Sequence, residues 1–307
     1  MNTSLESPQS PPLTPLQIWL LAARPKTLPA AAVPVIVGTA VAVSEGVFRL
    51  GPALAALLGA LLIQIGTNFA NDVFDYKKGA DTTERLGPLR VTQAGLLRPN
   101  QVMLGMWLTF GLAAVVGLYL VWVGGWPIVV IGLLSILSGI AYTGGPFPLG
   151  YNGLGDIFVF IFFGLIAVCG TYYVQAGTVS LAALWASIPI GLLATAILVV
   201  NNLRDIDTDR LAGKKTLAVR FGVAGARVEY VLLLALSYAV PLLMWLGGLA
   251  PLWVFLAWLS LPLSIPLIRL LYTKTGRPLN EGLAGTARLE LIYGVLFSVG
   301  MILGKWL

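Results

Sequence analysis

Apolar runs of about 20 residues, bounded by Gly, Pro or charged residues, follow one another along most of the chain. A run of that length lets a helix cross the hydrocarbon core of a bilayer. The pattern therefore predicts an all-α integral membrane protein, a bundle of nine transmembrane helices. The predicted spans are residues 28–46, 51–72, 101–123, 126–142, 154–175, 181–203, 228–247, 251–270 and 288–305.

Two polar motifs interrupt this pattern at equivalent places, the ends of the second and sixth spans. Motif 1 is residues 68–81, NFANDVFDYKKGAD, and motif 2 is residues 201–209, NNLRDIDTD. Their spacing predicts two parallel four-helix halves followed by a ninth helix. Residues 1–18 are predicted to form a disordered and interfacial tail, and residues 19–307 a single transmembrane domain.

Composition and charge agree with a membrane location. The chain is 58% hydrophobic and 10% charged with a mean hydropathy of +0.88, which excludes a water-soluble globular fold. With nine spans, all 19 Lys and Arg residues except Arg49 and Lys305 fall on the side of the N-terminus. The positive-inside rule then places both motifs and the N-terminus in the cytosol, in a multi-pass protein of the cell membrane. The net charge of +6 is thereby explained without nucleic acid.

Two residue types are nearly or wholly missing, which limits the possible chemistry. The chain has no histidine, and Cys169 is its single cysteine. Imidazole-bound zinc or haem, intramolecular disulfides and cysteine-cluster metal sites are therefore excluded. General acid–base catalysis must therefore use Asp, Glu, Tyr, Lys or a group of the substrate.

Each motif gathers its polar groups on one side of a helix. A helix turns by about 100° per residue, so positions three and four apart share a face. The groups that fall in one sector are Gln64, Asn68, Asn71, Asp72 and Asp75 at motif 1, and Asn201, Asn202, Asp205 and Asp209 in motif 2. Asp207 points away from that sector. A single acidic cluster of this kind is usually a solvated helix end, but two equivalent copies favour a functional site.

Carboxylates where a membrane helix meets water are costly unless a cation lies among them. Mg²⁺ prefers oxygen ligands and is usually held by one or two carboxylates together with phosphate oxygens. Two facing clusters, each with a metal, would clamp a diphosphate and help it depart as a leaving group. Aromatic faces would stabilise the allylic cation left behind. The aromatic residues close in sequence are Tyr142, Phe158, Phe160, Phe162, Phe163, Tyr172 and Tyr173.

The paired motifs resemble those of the UbiA superfamily of membrane prenyltransferases, whose members carry two Asp-rich motifs on a nine-helix bundle. Motif 2 matches the family pattern Asn-x-x-x-Asp-x-x-x-Asp at Asn201, Asp205 and Asp209. In motif 1, Gly79 stands where a third acid is usual and Asp81 follows two places later. That departure is similar to the branch that prenylates 1,4-dihydroxy-2-naphthoate in menaquinone synthesis. Further stretches similar to that branch are residues 24–30, 85–93, 142–146 and 213–220.

The resemblance implies a Mg²⁺-dependent enzyme that transfers a polyprenyl group from polyprenyl diphosphate to 1,4-dihydroxy-2-naphthoate. The acceptor loses its carboxylate, and the product is demethylmenaquinone. The residues assigned to catalysis and metal binding are Asp72, Asp75, Asp205 and Asp209, with Asp81 as an outer metal contact. The residues assigned to substrate binding are Asn68, Asn71, Arg90, Tyr142, Asn201, Arg204, Lys214, Lys215 and Lys26.

Three alternatives remain open at the level of sequence. The donor could be phytyl diphosphate, as in photosynthetic relatives of this branch. The acceptor could be that of another superfamily member, such as 4-hydroxybenzoate, homogentisate, a haem or a lipid glycerol. A secondary transporter also has repeats and polar residues in its helices, but its site usually lies near the bilayer midplane.

Overall fold

The structure is a computed structural model that describes residues 13–80 and 85–306, and every regular element within those ranges is helical. The α-helices are α1 (Pro15–Ala23), α2 (Leu28–Ser44), α3 (Leu50–Lys77), α4 (Pro99–Gly124), α5 (Trp126–Ala141), α6 (Gly155–Val159), α7 (Ala167–Ala176), α8 (Leu181–Arg204), α9 (Ile206–Leu211), α10 (Leu217–Leu246), α11 (Leu261–Thr273) and α12 (Leu279–Leu303). A π-helix, Phe160–Ile166, joins α6 to α7, and a 3-10 helix, Leu252–Ser260, leads into α11.

The helices confirm the predicted membrane fold but not the count of nine. Within the described ranges, eight helical segments are long and apolar enough to cross a bilayer. The remaining predicted span, residues 126–142, corresponds to α5, an apolar helix of 16 residues. At 1.5 Å per residue α5 is roughly 24 Å long, less than the hydrocarbon thickness of about 30 Å.

Two helices begin well before the predicted spans. The structure starts α10 at Leu217 rather than at residue 228, and α12 at Leu279 rather than at residue 288. Helix α10 is broken at Gly222, whose φ of 73° and ψ of −177° are not helical, so its uninterrupted part begins after that residue. Charged residues ahead of the predicted spans lower the local hydropathy and hide these beginnings: Arg220 and Arg227 in α10, and Glu281 in α12. A hydropathy window finds the lipid-compatible part of a helix, whereas a cap such as Thr216, which accepts a hydrogen bond from the Val219 N–H, marks its start.

The largest core is built around α8, which packs against α2, α10, α12 and the π-helix. Glycines allow the closest approach: a Cβ added to Gly164 in the π-helix would lie 2.7 Å from the Cα of Gly191 in α8. A contact this short leaves no space for a larger side chain. The π-helix is therefore held firmly against α8.

Both motifs are carried on helix ends. Helix α3 continues to Lys77, so Asp72 and Asp75 lie on its last turns. A second core cluster of Phe69, Val73 and Met106 packs this end of α3 against α1 and α4. Motif 2 begins on the last turn of α8, passes through Asp205 between the helices, and ends on the short helix α9.

Candidate active site

The Asp72 carboxylate holds the loop that follows motif 1. Its two oxygens each accept a backbone N–H at 3.1 Å, from Val91 and from Thr92. The guanidinium of Arg24 lies 4.0 Å away, and the Asp72 side chain is only 1% exposed. Asp72 therefore stabilises the loop directly, whether or not it also binds a metal.

Asp75, one turn further on, faces two partners from other parts of the chain. Its Oδ2 atom lies 2.9 Å from Nη2 of the buried Arg90. Its Oδ1 atom accepts a 2.8 Å hydrogen bond from the Tyr151 hydroxyl. The structure thus places the predicted phosphate contact Arg90 directly against a predicted metal ligand.

The two asparagines of motif 1 make different contacts. The Asn68 amide donates to the carbonyl of Ala23 at 2.8 Å and to the hydroxyl of Thr27 at 2.9 Å, so it fixes the junction between α1 and α2. Asn71 Oδ1 accepts a 3.0 Å hydrogen bond from the Thr143 hydroxyl. Asn71 is consequently oriented towards the loop after α5.

Arg204 is the centre of motif 2. Its Nε and Nη2 atoms donate to the two oxygens of Asp205 at 2.8 and 2.5 Å, and Nη2 also donates to Asn201 Oδ1 at 2.9 Å. Its Nη1 atom donates to Asn280 Oδ1 at 2.9 Å, and the Asn280 amide donates to the Leu86 carbonyl at 2.9 Å. This network joins motif 2 to α12 and to the loop after motif 1.

The two other acids of motif 2 point in different directions. Asp209 is buried and pairs with Lys214, whose Nζ lies 2.9 Å from Oδ1. Asp207 is 84% exposed and lies 3.5 Å from Arg210 at the surface. The backbone N–H of Asp209 donates to the Asp205 carbonyl at 2.7 Å, which keeps a helical register across the break between α8 and α9. The helical projection therefore places Asp207 correctly.

Tyr151 brings the two motifs together, because its hydroxyl bonds to Asp75 and its ring lies 4.8 Å from Nζ of Lys214, the partner of Asp209. Burial is the largest influence on Asp209 and raises its pKa; Lys214 acts in the opposite direction. Burial lowers the pKa of Lys214, yet that pKa ends above the ordinary value because three carboxylates act on it. The carboxylates are Asp209, Asp75 and Asp205. One ammonium group is thus within electrostatic reach of both motifs.

An apolar cavity of about 580 Å³ opens beside the acids, between α2, α3, α4, α5 and the α6–α7 helix. Gln64, Thr67 and Asn71 of α3 and Tyr142 at the end of α5 supply polar lining. One helical turn separates Asn71 from Asp75, so the polar part of the cavity adjoins the acids. The rest of the lining is mostly aliphatic and aromatic, which suits a hydrocarbon chain.

Some of the predicted aromatic residues line this cavity and others do not. The residues in the lining are Tyr142, Phe158, Phe162 and Phe163. The others contact groups outside the lining: Phe160 contacts Gly191, Tyr172 donates to the Glu45 carboxylate, and Tyr173 donates to the Gly124 carbonyl at 3.0 Å. The helical face, rather than nearness in sequence, decides which rings reach the cavity.

The remaining predicted site residues lie at the periphery of the site or outside the residues that the structure describes. Lys26 is exposed on the turn between α1 and α2. Lys215 has an exposed side chain, and its backbone N–H donates to the Tyr151 carbonyl at 2.7 Å. Asp81 lies outside the described residues, so its role as an outer metal contact stays a prediction.

Sequence reasoning missed three residues that the structure brings into the site. Arg24 approaches Asp72, Tyr151 bonds to Asp75, and Lys78 donates to the Thr143 carbonyl at 2.6 Å. Lys78 could have been found, because it lies three residues after Asp75 on one helical face. Tyr151 carries no such signal, since only the fold brings its loop back to α3.

The oxygen-rich donor set fits Mg²⁺. No group of three or more His, Cys, Asp or Glu side chains gathers into a complete metal shell in the part of the chain that the structure describes. Mg²⁺ usually takes only one or two carboxylates from the protein and completes its shell with water and phosphate oxygens. Carboxylates divided between two facing motifs match that requirement.

Asp72→Asn is expected to loosen the loop after motif 1. Asparagine keeps one acceptor oxygen but turns an NH₂ group towards a backbone N–H, and hydrogen bonds to a charged group contribute about 1.5–3 kcal/mol. Trypsin should then cut faster at Arg85 or Arg90 in the purified protein. Asp207→Asn serves as the matched control and should leave cleavage unchanged. Equal cleavage rates in the two variants would contradict the anchoring role of Asp72.

The chain is similar to known membrane prenyltransferases over most of its length. The profile of the UbiA prenyltransferase family matches residues 31–281. The chain belongs to the UbiA prenyltransferase family. It is 41% identical over 300 residues to the 1,4-dihydroxy-2-naphthoate octaprenyltransferase of Escherichia coli strain K12, covering 94% of this chain and 96% of that protein. Four further bacterial relatives with that name are 34–38% identical.

Other UbiA relatives extend the comparison. The chain is 33% identical over 268 residues to the 2-carboxy-1,4-naphthoquinone phytyltransferase of Synechocystis, covering 86% of each chain. A solved UbiA homolog from Archaeoglobus fulgidus, bound to GPP and Mg²⁺, shares the fold with a TM-score of 0.63 at 16% identity, covering 92% of this chain and 99% of that one. The predicted family and its all-helical membrane fold are thereby confirmed.

Proposed function

We propose that this UbiA-family protein transfers a polyprenyl group from polyprenyl diphosphate to 1,4-dihydroxy-2-naphthoate. The observation that carries the proposal is the pair of facing acidic motifs at the polar end of an apolar cavity. The shared name of five relatives at 34–41% identity supports the choice of acceptor. The bond between the allylic carbon and the diphosphate oxygen breaks, a bond to a ring carbon forms, and the carboxylate leaves as CO₂.

The acids would hold Mg²⁺ between the two motifs. We favour Asp75, Asp205 and Asp209 as ligands, because Lys214 pairs with Asp209 at 2.9 Å and is within electrostatic reach of the other two. Asp72 remains a predicted ligand beside its role in the loop. When bound, the metal neutralises charge on the departing diphosphate. Arg90, Arg204 and Lys214 already lie against these acids, where they can donate to phosphate oxygens.

The cavity would hold the prenyl chain and keep water from the reacting carbon. Its lining offers aromatic faces, including the stacked rings of Phe158 and Phe162 with centroids 6.0 Å apart. Such faces stabilise a cation without offering it a nucleophile. Tyr142 and Asn71 lie where the lining becomes polar, the position that suits the hydroxyl groups of the acceptor.

Charge sorting supports an orientation with both motifs and the N-terminus in the cytosol. The water-soluble naphthoate and the diphosphate head of the donor then reach the acids from the cytosol. The prenyl chain enters from the bilayer. In this orientation the product leaves into the membrane, where a prenylated naphthoquinol dissolves.

An acceptor panel tests the proposal. Purified protein with Mg²⁺ and a polyprenyl diphosphate is offered 1,4-dihydroxy-2-naphthoate, 4-hydroxybenzoate and homogentisate together. Mass spectrometry should show one major product, the prenylated naphthalene without the carboxylate carbon. A major product from either other acceptor would overturn the assignment of acceptor, and a product that keeps the carboxylate would overturn the decarboxylation.

A phytyl donor is the second candidate, because the Synechocystis relative is a named phytyltransferase. The same assay separates the two candidates when polyprenyl and phytyl diphosphates compete for one acceptor. The transporter alternative has less support, since the chain belongs to a family of prenyltransferases and both motifs lie at one end of the bundle.

A further inference from the structure

Tyr151 lies where the two motifs meet. It sits on the 3-10 turn Gly150–Asn152, and its hydroxyl donates to Asp75 Oδ1 at 2.8 Å. Its own carbonyl accepts the Lys215 N–H at 2.7 Å. One side of the residue therefore holds motif 1, and the other side holds the chain that leaves motif 2.

The ring of Tyr151 lies beneath two ammonium groups. Lys78 Nζ is 4.9 Å and Lys214 Nζ is 4.8 Å from the ring centroid. Both distances fall within the range of about 6 Å in which a cation is attracted to an aromatic face. One ring thus gathers two positive charges that would otherwise repel each other.

The two lysines have further contacts that fix their places. Lys78 donates to the carbonyls of Thr143 at 2.6 Å and Gly145 at 3.3 Å, and it is exposed. Lys214 is paired with Asp209. Carbonyl contacts do not neutralise the positive charge of Lys78, so it can attract a nearby anion.

This arrangement matches a diphosphate better than simple packing does. A ring that served packing alone would contact apolar side chains, whereas this ring contacts two ammonium groups and its hydroxyl contacts a carboxylate. Two lysines beside the acids provide charge for two phosphate groups, and each ammonium has three donors. The ring holds them in place before the ligand arrives, which lowers the entropy lost on binding.

We propose that Tyr151 is a positioning residue of the diphosphate site, which orients Asp75 through its hydroxyl and presents Lys78 and Lys214 to the diphosphate through its ring. The proposal rests on the proposed function for the identity of the ligand. It adds Tyr151 and Lys78 to the residues that recognise the donor, and it gives the ring and the hydroxyl separate tasks.

Binding of geranyl diphosphate with Mg²⁺ to the purified full-length chain, measured calorimetrically without acceptor, tests these tasks. Tyr151→Leu removes both the hydroxyl and the aromatic ring. The Kd should rise about tenfold or more, as expected for the loss of two cation–π contacts. Tyr151→Phe keeps the ring, so the Kd at saturating Mg²⁺ should stay within about twofold of wild type. The Mg²⁺ concentration needed for half-maximal binding should nevertheless rise in Tyr151→Phe, because Asp75 is no longer oriented.

A matched control and a double variant separate positioning from folding. Tyr272 also lies under a cation, with Arg227 5.5 Å from its ring, but it belongs to α11 away from the acids. Tyr272→Leu should leave geranyl diphosphate binding unchanged. Lys78→Gln should raise the Kd for geranyl diphosphate. The increase should be smaller in the Tyr151→Leu background than in wild type, because the effects of coupled residues are not additive.

The possible results are distinct. If wild type fails to bind geranyl diphosphate with Mg²⁺, the proposed donor and the proposed function fail. If wild type binds but Tyr151→Leu binds equally well, only the positioning role of Tyr151 fails. Thermal unfolding in detergent shows whether Tyr151→Leu is folded. If it is not folded, the other two variants decide the question. The proposal is overturned if Tyr151→Phe shows an unchanged Mg²⁺ dependence of binding and Lys78→Gln shows an unchanged Kd.

Discussion

Asp75→Asn and Asp209→Asn are each expected to lower kcat for prenyl transfer by about 100- to 1,000-fold, the usual effect of removing one group that stabilises charge in the transition state. Asparagine is nearly isosteric with aspartate, so the fold should persist. The substitution removes the negative charge that binds Mg²⁺, and it removes the ion pair with Arg90 or with Lys214. Steady-state turnover of the purified variants measures the effect.

Asp207→Asn provides the control within the same motif. Asp207 is exposed and its contact is the surface residue Arg210, so its loss should change kcat by less than about twofold. An equal loss of turnover in Asp207→Asn and Asp209→Asn would mean that the motif acts through its overall charge. Normal turnover in Asp75→Asn and in Asp209→Asn would remove the metal clamp from the mechanism.

Chelation of divalent metal by excess EDTA is expected to reduce turnover by at least about 1,000-fold. A bound metal contributes several kcal/mol of charge stabilisation, and each 1.36 kcal/mol changes the rate tenfold. Added Mg²⁺ should restore the wild-type rate. Mn²⁺ should substitute for it, because both ions accept an octahedral shell of oxygen ligands.

The combination of chelation and substitution strengthens the test. Mg²⁺ should rescue wild type and Asp207→Asn after EDTA, but it should rescue Asp75→Asn only weakly and at higher concentration. Unaltered turnover in EDTA, measured with protein washed free of metal, would show that the carboxylates act without a divalent cation.

The sequence predicts the helices well because a bilayer demands long apolar runs. It fails where charge enters a helix, as at the starts of α10 and α12. Glu290 of α12 is completely buried, and neither of its carboxyl oxygens has a hydrogen-bond partner among residues 13–80 and 85–306. Hydropathy places Glu290 inside the ninth predicted span but does not show that the packing of neighbouring helices encloses it.

The site was predictable where its residues share a helix. Helical periodicity groups Asp72 with Asp75 and directs Asp207 outward, and the structure agrees. Partners from distant parts of the chain were not predictable: Tyr151 reaches Asp75 across 76 residues of sequence, and Asn280 reaches Arg204 across the same separation. A periodic pattern carries no information on such pairs, because the tertiary fold alone sets them.

The glycines that line the cavity divide its walls into a changeable and an unchangeable part. A Cβ on Gly117 of α4 or Gly132 of α5 would meet no atom within 4 Å, whereas one on Gly139 of α5 would overlap Oγ1 of Thr67. Descendants of this protein can therefore acquire bulk at the first two positions by single substitutions and so shorten the isoprenoid that the cavity admits. The part of the wall at Gly139 is closed to that route of adaptation.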